Sequence, residues 1–321
     1  MIDEPFLAIQ NLQIDVGTGA NRVHAGRGVN LTVQDGARLG IIGESGSGKT
    51  MSALAILRLL PTTTTVLDGA IRYAGRDLLA LSERAMQQVR GKEISMIFQN
   101  AVAALNPLFT VGQQIADVYR YHEGGSGRAA WDKAVAMLDA TGIPDPARRA
   151  RAYPHQFSGG MAQRAMIAMS LVCSPRLLIA DEPTTGLDLT IQAQVLDLIE
   201  EHVERTGATL ILISHDLAVI AATCNELAVM YAGEVVERGR LDELFRTPRH
   251  PYSQALLECF QSTSGESVPY IAGRVPDLRQ PLVGCSFAPR CPLVQEICRQ
   301  QRPALRPITQ GHQVACQLAQ P

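Results

Sequence analysis

Residues 43–50, Gly-Glu-Ser-Gly-Ser-Gly-Lys-Thr, fit the pattern G-x-x-x-x-G-K-[ST] between a predicted apolar strand and a predicted helix, which on its own indicates a site for nucleotide phosphates. The glycines allow backbone N–H groups to turn inward around phosphate oxygens, and the start of the helix adds positive potential. Lys49 can neutralise the β- and γ-phosphates, and the Thr50 hydroxyl can bind Mg²⁺. The predicted nucleotide contacts are Gly43, Ser45, Gly46, Gly48, Lys49 and Thr50.

A second stretch places two acids at the end of a predicted buried strand. In residues 176–182, Arg-Leu-Leu-Ile-Ala-Asp-Glu, an aliphatic run follows Arg176 and ends at Asp181 and Glu182. In an open α/β sheet, ligands bind at the carboxyl ends of the strands. We therefore predict that Asp181 holds Mg²⁺ through water and that Glu182 polarises an attacking water molecule. Helix capping is the alternative role for paired acids at such a position.

Composition and charge limit the classes of function. The 321 residues suffice for about two domains, and 46% of them are hydrophobic, which is ample for a packed core. The 29 basic and 31 acidic residues nearly balance, which argues against nucleic acid as a partner. No apolar run reaches about 18 residues, the length of a spanning helix, and residues 1–10 lack the basic segment of a signal peptide. We expect a cytoplasmic chain that does not cross a membrane alone.

Strand and helix patterns alternate along the chain, which predicts an α/β fold with a parallel core sheet. Short strands within residues 6–42 indicate an N-terminal antiparallel β subdomain, and helical patterns dominate residues 100–160. From about Arg246 the composition changes, and a Ser/Gly/Pro-rich linker at 262–281 leads into a cysteine-bearing tail. The predicted domains are residues 1–245, with a helical subdomain at about 100–160, and residues 246–321.

Further motifs follow in order and carry a family resemblance. Residues 157–164, Phe-Ser-Gly-Gly-Met-Ala-Gln-Arg, resemble the signature sequence of ATP-binding cassette (ABC) ATPases, with methionine where many members have glutamine. Gln99 resembles the Q-loop glutamine, residues 185–188 (Thr-Gly-Leu-Asp) resemble the D-loop, and residues 214–216 (Ser-His-Asp) resemble the switch histidine motif. With the first two motifs, these cover roughly residues 6–240. The chain thus resembles a P-loop NTPase of the ABC ATPase family.

The resemblance implies how the motifs cooperate. In ABC ATPases the signature faces the γ-phosphate that a partner's glycine-rich loop holds, so two domains sandwich two ATP molecules. This chain has one copy of each motif and is therefore expected to dimerise. The implied catalytic residues are Glu182, His215 and Gln99; further nucleotide contacts are Ser158, Gly159, Gly160 and Asp188; the implied Mg²⁺ ligands are Thr50, Gln99 and Asp181. The family usually has an adenine-stacking aromatic residue near position 23, where this chain has Arg22-Val-His24, so either His24 stacks on adenine instead or recognition of the base is weak.

The C-terminal part resembles one subgroup. Residues 250–257 (His-Pro-Tyr-Ser-Gln-Ala-Leu-Leu) and 285–292 (Cys-Ser-Phe-Ala-Pro-Arg-Cys-Pro) are similar to ATP-binding subunits of dipeptide and oligopeptide importers. This resemblance implies ATP hydrolysis coupled to peptide import at the cytoplasmic face of the inner membrane. The implied partners are a second, different ATPase subunit, two transmembrane permeases and an extracytoplasmic substrate-binding protein.

Three alternatives to this interpretation stay open, one of which makes the cysteine-bearing tail a redox-sensing or assembly module with the ATPase secondary. The cargo could instead be a nickel chelate, glutathione or an antimicrobial peptide, because relatives of this group move these solutes. A soluble ABC ATPase that acts on nucleic acid or ribosomes is the rival class. The pI near 6.4 opposes that class, as does the short spacing between Thr50 and Ser158, which leaves no room for a long coiled coil.

Four C-terminal cysteines, Cys285, Cys291, Cys298 and Cys316, form a separate candidate site. Their spacing, C-x5-C-x6-C-x17-C, lacks the C-x2-C pairs of common zinc ribbons. Four thiolates suffice for an iron–sulfur cluster or for Zn²⁺. The family resemblance implies a 4Fe–4S cluster, with Zn²⁺ or four reduced thiols without metal as the alternatives. We expect a structural role for any cluster, at a distance from the ATP site.

Overall fold

The computed structural model of the chain describes residues 4–261 and 270–320. The chain divides into two compact units, of which residues 1–80 with 213–321 form the first and residues 81–212 the second. The predicted linker falls partly outside the described residues, at 262–269. Within the described ranges, every helix is too short or too polar to span a bilayer.

Twelve strands and twelve α-helices lie in the described ranges. The strands are β1 (Leu7–Val16), β2 (Val23–Val33), β3 (Arg38–Ile42), β4 (Thr64–Tyr73), β5 (Arg76–Asp77), β6 (Ile94–Ile97), β7 (Leu177–Asp181), β8 (Thr209–Ile213), β9 (Glu226–Tyr231), β10 (Glu234–Arg240), β11 (Arg306–Thr309) and β12 (His312–Val314). The helices are α1 (Lys49–Ile56), α2 (Glu83–Val89), α3 (Ala101–Ala104), α4 (Val111–Glu123), α5 (Gly127–Ala140), α6 (Pro146–Arg149), α7 (Gly159–Leu171), α8 (Leu189–Thr206), α9 (Leu217–Thr223), α10 (Leu241–Arg246), α11 (Pro251–Gln261) and α12 (Glu296–Gln300). Short 3-10 helices cover Gly19–Asn21, Pro154–Gln156 and Ala288–Arg290.

The first unit begins with an antiparallel sheet in the strand order β2-β1-β4-β5. Apolar side chains of β1, such as Leu7, Ile9 and Leu12, are at most 1% exposed. Burying these side chains removes apolar surface from water and stabilises the sheet. This sheet confirms the predicted N-terminal antiparallel β subdomain.

The first unit also contains the strand order β11-β12-β10-β9-β3. Strands β3 and β9 run parallel, and β9 and β10 form a hairpin. The hairpin turns at Ala232 and Gly233, whose φ angles of 48° and 82° lie in the left-handed region. The phosphate motif follows β3 directly, so this part of the sheet carries it.

The second unit contains the strand order β8-β7-β6, with β6 and β7 parallel. Every residue of β6 and of β7 is buried, which explains why these strands are mostly aliphatic rather than alternating. Helices α3–α6 follow β6, and α7 precedes β7. The parallel strands and this helical region confirm the predicted α/β fold of an ABC ATPase.

The C-terminal tail joins the sheet of the first unit through β12, which pairs with β10. At this pairing the His312 ring lies between two carboxylates. Its Nε2 is 2.8 Å from Glu237 Oε1, and its Nδ1 is 3.0 Å from Glu243 Oε1. Glu237 is fully buried, so the tail brings a partner to a carboxylate that is costly to bury alone.

Candidate functional site

The predicted phosphate loop lies between β3 and α1 in the first unit. Lys49 is the first residue of α1 and is only 8% exposed. Its Nζ donates hydrogen bonds to the backbone carbonyls of Gly43 at 2.8 Å and Glu44 at 3.1 Å. The loop therefore holds an ammonium group against its own carbonyls, next to the helix start where phosphate binding is favourable.

Three glycines give the loop its shape. The φ angles of Gly43, Gly46 and Gly48 are 152°, 78° and 97°, a region that favours glycine. A Cβ atom on Gly43 would lie 2.1 Å from the Met230 carbonyl oxygen, and one on Gly48 would lie 2.4 Å from the Ala25 carbonyl oxygen. A Cβ atom on Gly46 would meet no heavy atom within 4 Å. Two of these glycines are thus required by packing, and the third borders open space.

Strand β7 brings two acids to its carboxyl end in the second unit. Asp181 is 2% exposed, and Glu182 follows with a φ of 47°, which is rare for residues other than glycine. Glu182 Oε2 accepts hydrogen bonds from Gln99 Nε2 at 2.7 Å and from Thr185 Oγ1 at 3.0 Å. The structure therefore brings Gln99, which belongs to a separate motif, to the predicted catalytic acid.

The signature motif lies at the start of α7. Ser158 Oγ accepts the N–H of Met161 at 3.3 Å and so caps the helix. Ser158 and Gly159 are exposed, and a Cβ atom on Gly159 would meet no heavy atom within 4 Å. A Cβ atom on Gly160 would lie 3.3 Å from Cγ2 of Ile191, a residue at the start of α8. The helix start therefore presents backbone N–H groups at the surface of the second unit, where they favour an anion.

A buried glutamine in the same helix is not among the predicted site residues. Gln163 is 5% exposed, and its Nε2 donates to the Pro183 carbonyl at 2.7 Å. This hydrogen bond ties the signature helix to the residue that follows Glu182. The sequence places Gln163 in the signature motif, beside Arg164, but that position does not indicate its partner.

Asp188 and His215 take different local roles. Asp188 Oδ1 accepts the N–H of Ile191 at 3.0 Å and caps α8. His215 lies between β8 and α9, where it is exposed. Ser214 Oγ accepts the N–H of Asp216 at 2.9 Å, so the turn that carries His215 is held on both sides.

The region expected to meet adenine carries a histidine rather than a stacked aromatic residue. His24 lies in β2, and its Nδ1 is 2.7 Å from Asp15 Oδ1. Asp15 is 3% exposed, so this contact fixes the imidazole orientation.

The two units divide the predicted ATP-site residues between them. The first unit carries Gly43, Ser45, Gly46, Gly48, Lys49, Thr50 and His215; the second carries Gln99, Ser158, Gly159, Gly160, Asp181, Glu182 and Asp188.

The four C-terminal cysteines line one small cavity in the first unit. The cavity is bordered by Cys285, Cys291, Cys298 and Cys316, together with His250, Pro251 and Phe287. Burial raises the pKa of Cys285 to about 11 and also raises the pKa of Cys291. Four thiols around one cavity match the donor set of an iron–sulfur cluster or of tetrahedral zinc. Within residues 4–261 and 270–320, however, no group of three or more His, Cys, Asp or Glu side chains has the arrangement of metal ligands.

Two family models match the chain. Residues 27–185 match the model described as ABC transporter, and residues 236–298 match the oligopeptide/dipeptide transporter C-terminal region.

Curated relatives match over nearly the whole length. The chain is 51% identical over 90% of its length to the "Probable peptide ABC transporter ATP-binding protein y4tR" of Sinorhizobium fredii, of which it covers 88%. The dipeptide transport ATP-binding proteins DppD of Bacillus subtilis and of Escherichia coli are 44% and 42% identical to it. These two matches span 98% and 97% of this chain, and 95% and 96% of the relatives.

A solved structure supports the same family. The dimeric post-hydrolysis state of the ATP-binding cassette MJ0796, bound to ADP and Pi, matches with a TM-score of 0.66 and 26% identity. That match covers 73% of this chain and 98% of the other. ATP hydrolysis with Mg²⁺ is the chemistry of this family, and the phosphate loop around Lys49 fits it. The chain belongs to the ATP-hydrolysing, ATP-binding proteins of ABC transporters, in the group that carries the oligopeptide/dipeptide transporter C-terminal region.

Proposed function

We propose that this chain hydrolyses ATP to energise the import of dipeptides or oligopeptides through a membrane complex. The observation that carries the proposal is the C-terminal region, which matches the oligopeptide/dipeptide transporter model over residues 236–298. Relatives that match over almost the whole chain are named as dipeptide transport proteins. Nickel chelates, glutathione and antimicrobial peptides are the alternative cargoes.

In the proposed reaction, Glu182 polarises the water that attacks the γ-phosphate. Its carboxylate already accepts two hydrogen bonds, from Gln99 and Thr185, which restrict its orientation. A fixed acceptor within reach of the water is what general-base assistance requires. Lys49 neutralises phosphate charge. The proposed catalytic residues besides Glu182 are Gln99 and His215, which has the position of the family's switch histidine.

Thr50, Gln99 and Asp181 are the proposed Mg²⁺ ligands. Their hydroxyl, amide and carboxylate oxygens are the hard donors that Mg²⁺ prefers, so the donor set fits this ion. When bound, Mg²⁺ neutralises charge on the phosphate oxygens.

The nucleotide contacts are proposed to come from two chains. The phosphate loop of this chain binds one ATP, while Ser158, Gly159, Gly160 and Asp188 contact the ATP held by a partner. The exposed helix start at Ser158 and Gly159 supports this arrangement. The partner is proposed to be a second, different ABC ATPase subunit.

The remaining partners are two transmembrane permeases and an extracytoplasmic substrate-binding protein, with this chain on the cytoplasmic face of the inner membrane. Residues 1–245 form the proposed ATP-binding domain, of which about 100–160 face the permeases, and residues 246–321 form the extension. The near balance of 29 basic and 31 acidic residues gives no support to a nucleic-acid partner.

The extension is proposed to bind a 4Fe–4S cluster, with Zn²⁺ or no metal as alternatives. The convergence of Cys285, Cys291, Cys298 and Cys316 on one cavity supports this proposal. A cluster held by all four would cross-link the extension and stabilise its fold.

Purified protein tests the two-chain site. We expect slow ATP hydrolysis whose specific activity rises with protein concentration, and a further rise when the cognate ATPase and permeases are added. Full activity from a demonstrable monomer would contradict the shared site.

In proteoliposomes containing the whole complex, ATP-dependent uptake of a labelled dipeptide would support dipeptides as the cargo. Uptake of a nickel chelate or glutathione without uptake of the dipeptide would show that the cargo is that solute and not a dipeptide.

A further inference from the structure

The C-terminal extension contacts the phosphate loop through Arg290, one residue before Cys291. Arg290 Nη1 donates to Glu44 Oε2 at 2.8 Å, and Nη2 donates to Glu44 Oε1 at 3.0 Å. Glu44 is the second residue of the phosphate motif. The Arg290 side chain is 5% exposed and that of Glu44 is 26% exposed, so solvent screens this pair less than a surface pair. The expectation that the cysteine site lies far from the ATP site is therefore wrong.

The remaining donors of Arg290 are also used. Its Nε donates to the Ala272 carbonyl at 3.0 Å, Nη2 to the Ile271 carbonyl at 2.9 Å, and Nη1 to Tyr231 Oη at 3.3 Å. With the two bonds to Glu44, each of the five guanidinium N–H groups has an acceptor. The guanidinium is therefore fixed by its surroundings, and its fork imposes one orientation on the carboxylate.

A second residue of the extension holds the backbone of the same loop position. The N–H of Glu44 donates to Tyr252 Oη at 2.9 Å. Tyr252 is fully buried, and its ring centroid lies 4.5 Å from that of Tyr231 and 5.4 Å from that of Phe287. This aromatic packing leaves the hydroxyl at a fixed place.

Glu44 also contacts Lys49, the residue proposed to bind phosphate. Its carbonyl accepts hydrogen bonds from Lys49 Nζ at 3.1 Å and from the N–H of Ser47 at 3.1 Å. The side chain, N–H and carbonyl of Glu44 are thus all engaged. Arg290 also balances the negative charge of Glu44, which would otherwise repel the phosphates of a nucleotide bound to the same loop.

We infer that the C-terminal extension holds the phosphate loop in its nucleotide-binding shape, with Arg290 and Tyr252 as positioning residues for ATP. The inference rests on the proposed use of this loop for ATP. The extension thereby becomes a part of the nucleotide site, without touching the reacting atoms.

Equilibrium binding of a fluorescent ATP analogue to the full chain tests the inference. Arg290→Met keeps the apolar stem and removes the fork, and we expect its dissociation constant to rise at least about 5-fold, the lower end of coupling between linked sites. Arg279→Met is the matched control. Arg279 lies in the same extension and makes a similar pair with Asp277, but both side chains are largely exposed. The control is expected to bind the analogue like the unchanged chain.

A double-mutant cycle separates positioning from general damage to the fold. Glu44→Gln in the Arg290→Met background removes the unpaired carboxylate, so the double variant is expected to bind no more weakly than Arg290→Met alone. Tyr252→Phe, which removes only the hydroxyl, is expected to weaken binding by a smaller factor. If the effects of Glu44→Gln and Arg290→Met simply add, or if Arg290→Met binds like the control, the inference is overturned.

Two further measurements keep the outcomes distinct. If Arg290→Met fails to fold, Arg290→Lys takes its place in the double-mutant cycle, because it keeps the charge but lacks the bidentate guanidinium group. Its affinity for the analogue is then measured with and without Glu44→Gln. If the unchanged chain fails to bind the analogue, or binds it no better than Lys49→Ala, the proposed ATP site itself fails. If Lys49→Ala loses affinity for the analogue but the Arg290 and Tyr252 variants bind it like the unchanged chain, the positioning role is refuted and the proposed ATP site stands.

Discussion

Glu182 combines two features that a structural acid at a strand end does not need. Its φ of 47° is a strained conformation, and its Oε2 accepts hydrogen bonds from both Gln99 and Thr185. Such strain persists only where the surroundings over-determine it, and it is concentrated at functional sites. The helix-capping alternative for this acid predicts neither feature.

Glu182→Gln is therefore expected to lower ATP turnover by at least about 100-fold, because it removes the acceptor that polarises water. Binding of ATP should survive, since the phosphate loop is unchanged, and a closed dimer should accumulate. Steady-state hydrolysis and equilibrium binding measure the two effects. Glu201→Gln, an exposed acid in α8, serves as the control. Near-normal turnover of Glu182→Gln would remove this residue from the catalytic role.

The motif residues were predictable because each motif is local. The pattern around Lys49 determines its own loop, and the aliphatic run before Asp181 determines its own strand. The contact between Arg290 and Glu44 joins residues 246 positions apart, and no local pattern encodes it.

At the level of elements, β10, β12 and α10 are joined by one ionic network around the buried side chains of His312 and Glu237. His312 is enclosed by Glu237 of β10 and Glu243 of α10. Burial lowers the His312 pKa, but hydrogen bonds to both carboxylates outweigh it and leave the pKa above its ordinary value of 6.5. Burial raises the Glu237 pKa, but hydrogen bonds from His312 and from the backbone N–H groups of Arg249 and His250 leave it below 4.5.

These directions predict a pH dependence of tail docking. Because the pKa of His312 is raised in the folded chain, protonated His312 stabilises the docked tail fully below about pH 6.5. This contribution is lost as pH rises through the His312 pKa of the folded chain. The lowered Glu237 pKa contributes above about pH 4.5 and is lost as pH falls through its native value. We expect amide hydrogen exchange of β12, corrected for the intrinsic rate, to show strongest protection between these values and weaker protection at higher pH.

His312→Gln should remove most of the loss of protection at high pH. At pH 6 it should also cost about 1.5–3 kcal/mol of local stability, the range for hydrogen bonds to charged groups. The control is His155→Gln, which changes an exposed histidine in the second unit. An unchanged pH profile in His312→Gln would assign the dependence to another group.

At the scale of the whole chain, the sequence predicted the core better than the tail. Aliphatic runs such as residues 177–180 predict buried parallel strands, because a strand covered on both faces has no polar side. The docking of the tail depends instead on single long-range partners: His312 on Glu237, and Arg290 on Glu44. Spacing of the cysteines gave a candidate metal site but no information about what lies beside it.

The cysteine site and the phosphate loop are therefore expected to respond together. Protein purified without oxygen should be brown and contain about four iron and four sulfide per chain if a 4Fe–4S cluster is present. Cys291→Ser should lose the iron and loosen the segment that carries Arg290, so its affinity for a fluorescent ATP analogue should fall toward that of Arg290→Met. Cys173→Ser changes a half-buried thiol in the second unit and should alter neither property.

Each alternative for this site has its own result. Stoichiometric zinc without iron would replace the cluster and keep the structural link to the loop. Four titratable thiols without metal would end the metal proposal. Loss of iron from Cys291→Ser with unchanged nucleotide affinity would show that the loop is held independently of the cluster. In that case Arg290 must be positioned by its contacts with Ile271, Ala272 and Tyr231 alone, because these are the remaining acceptors of its guanidinium besides Glu44.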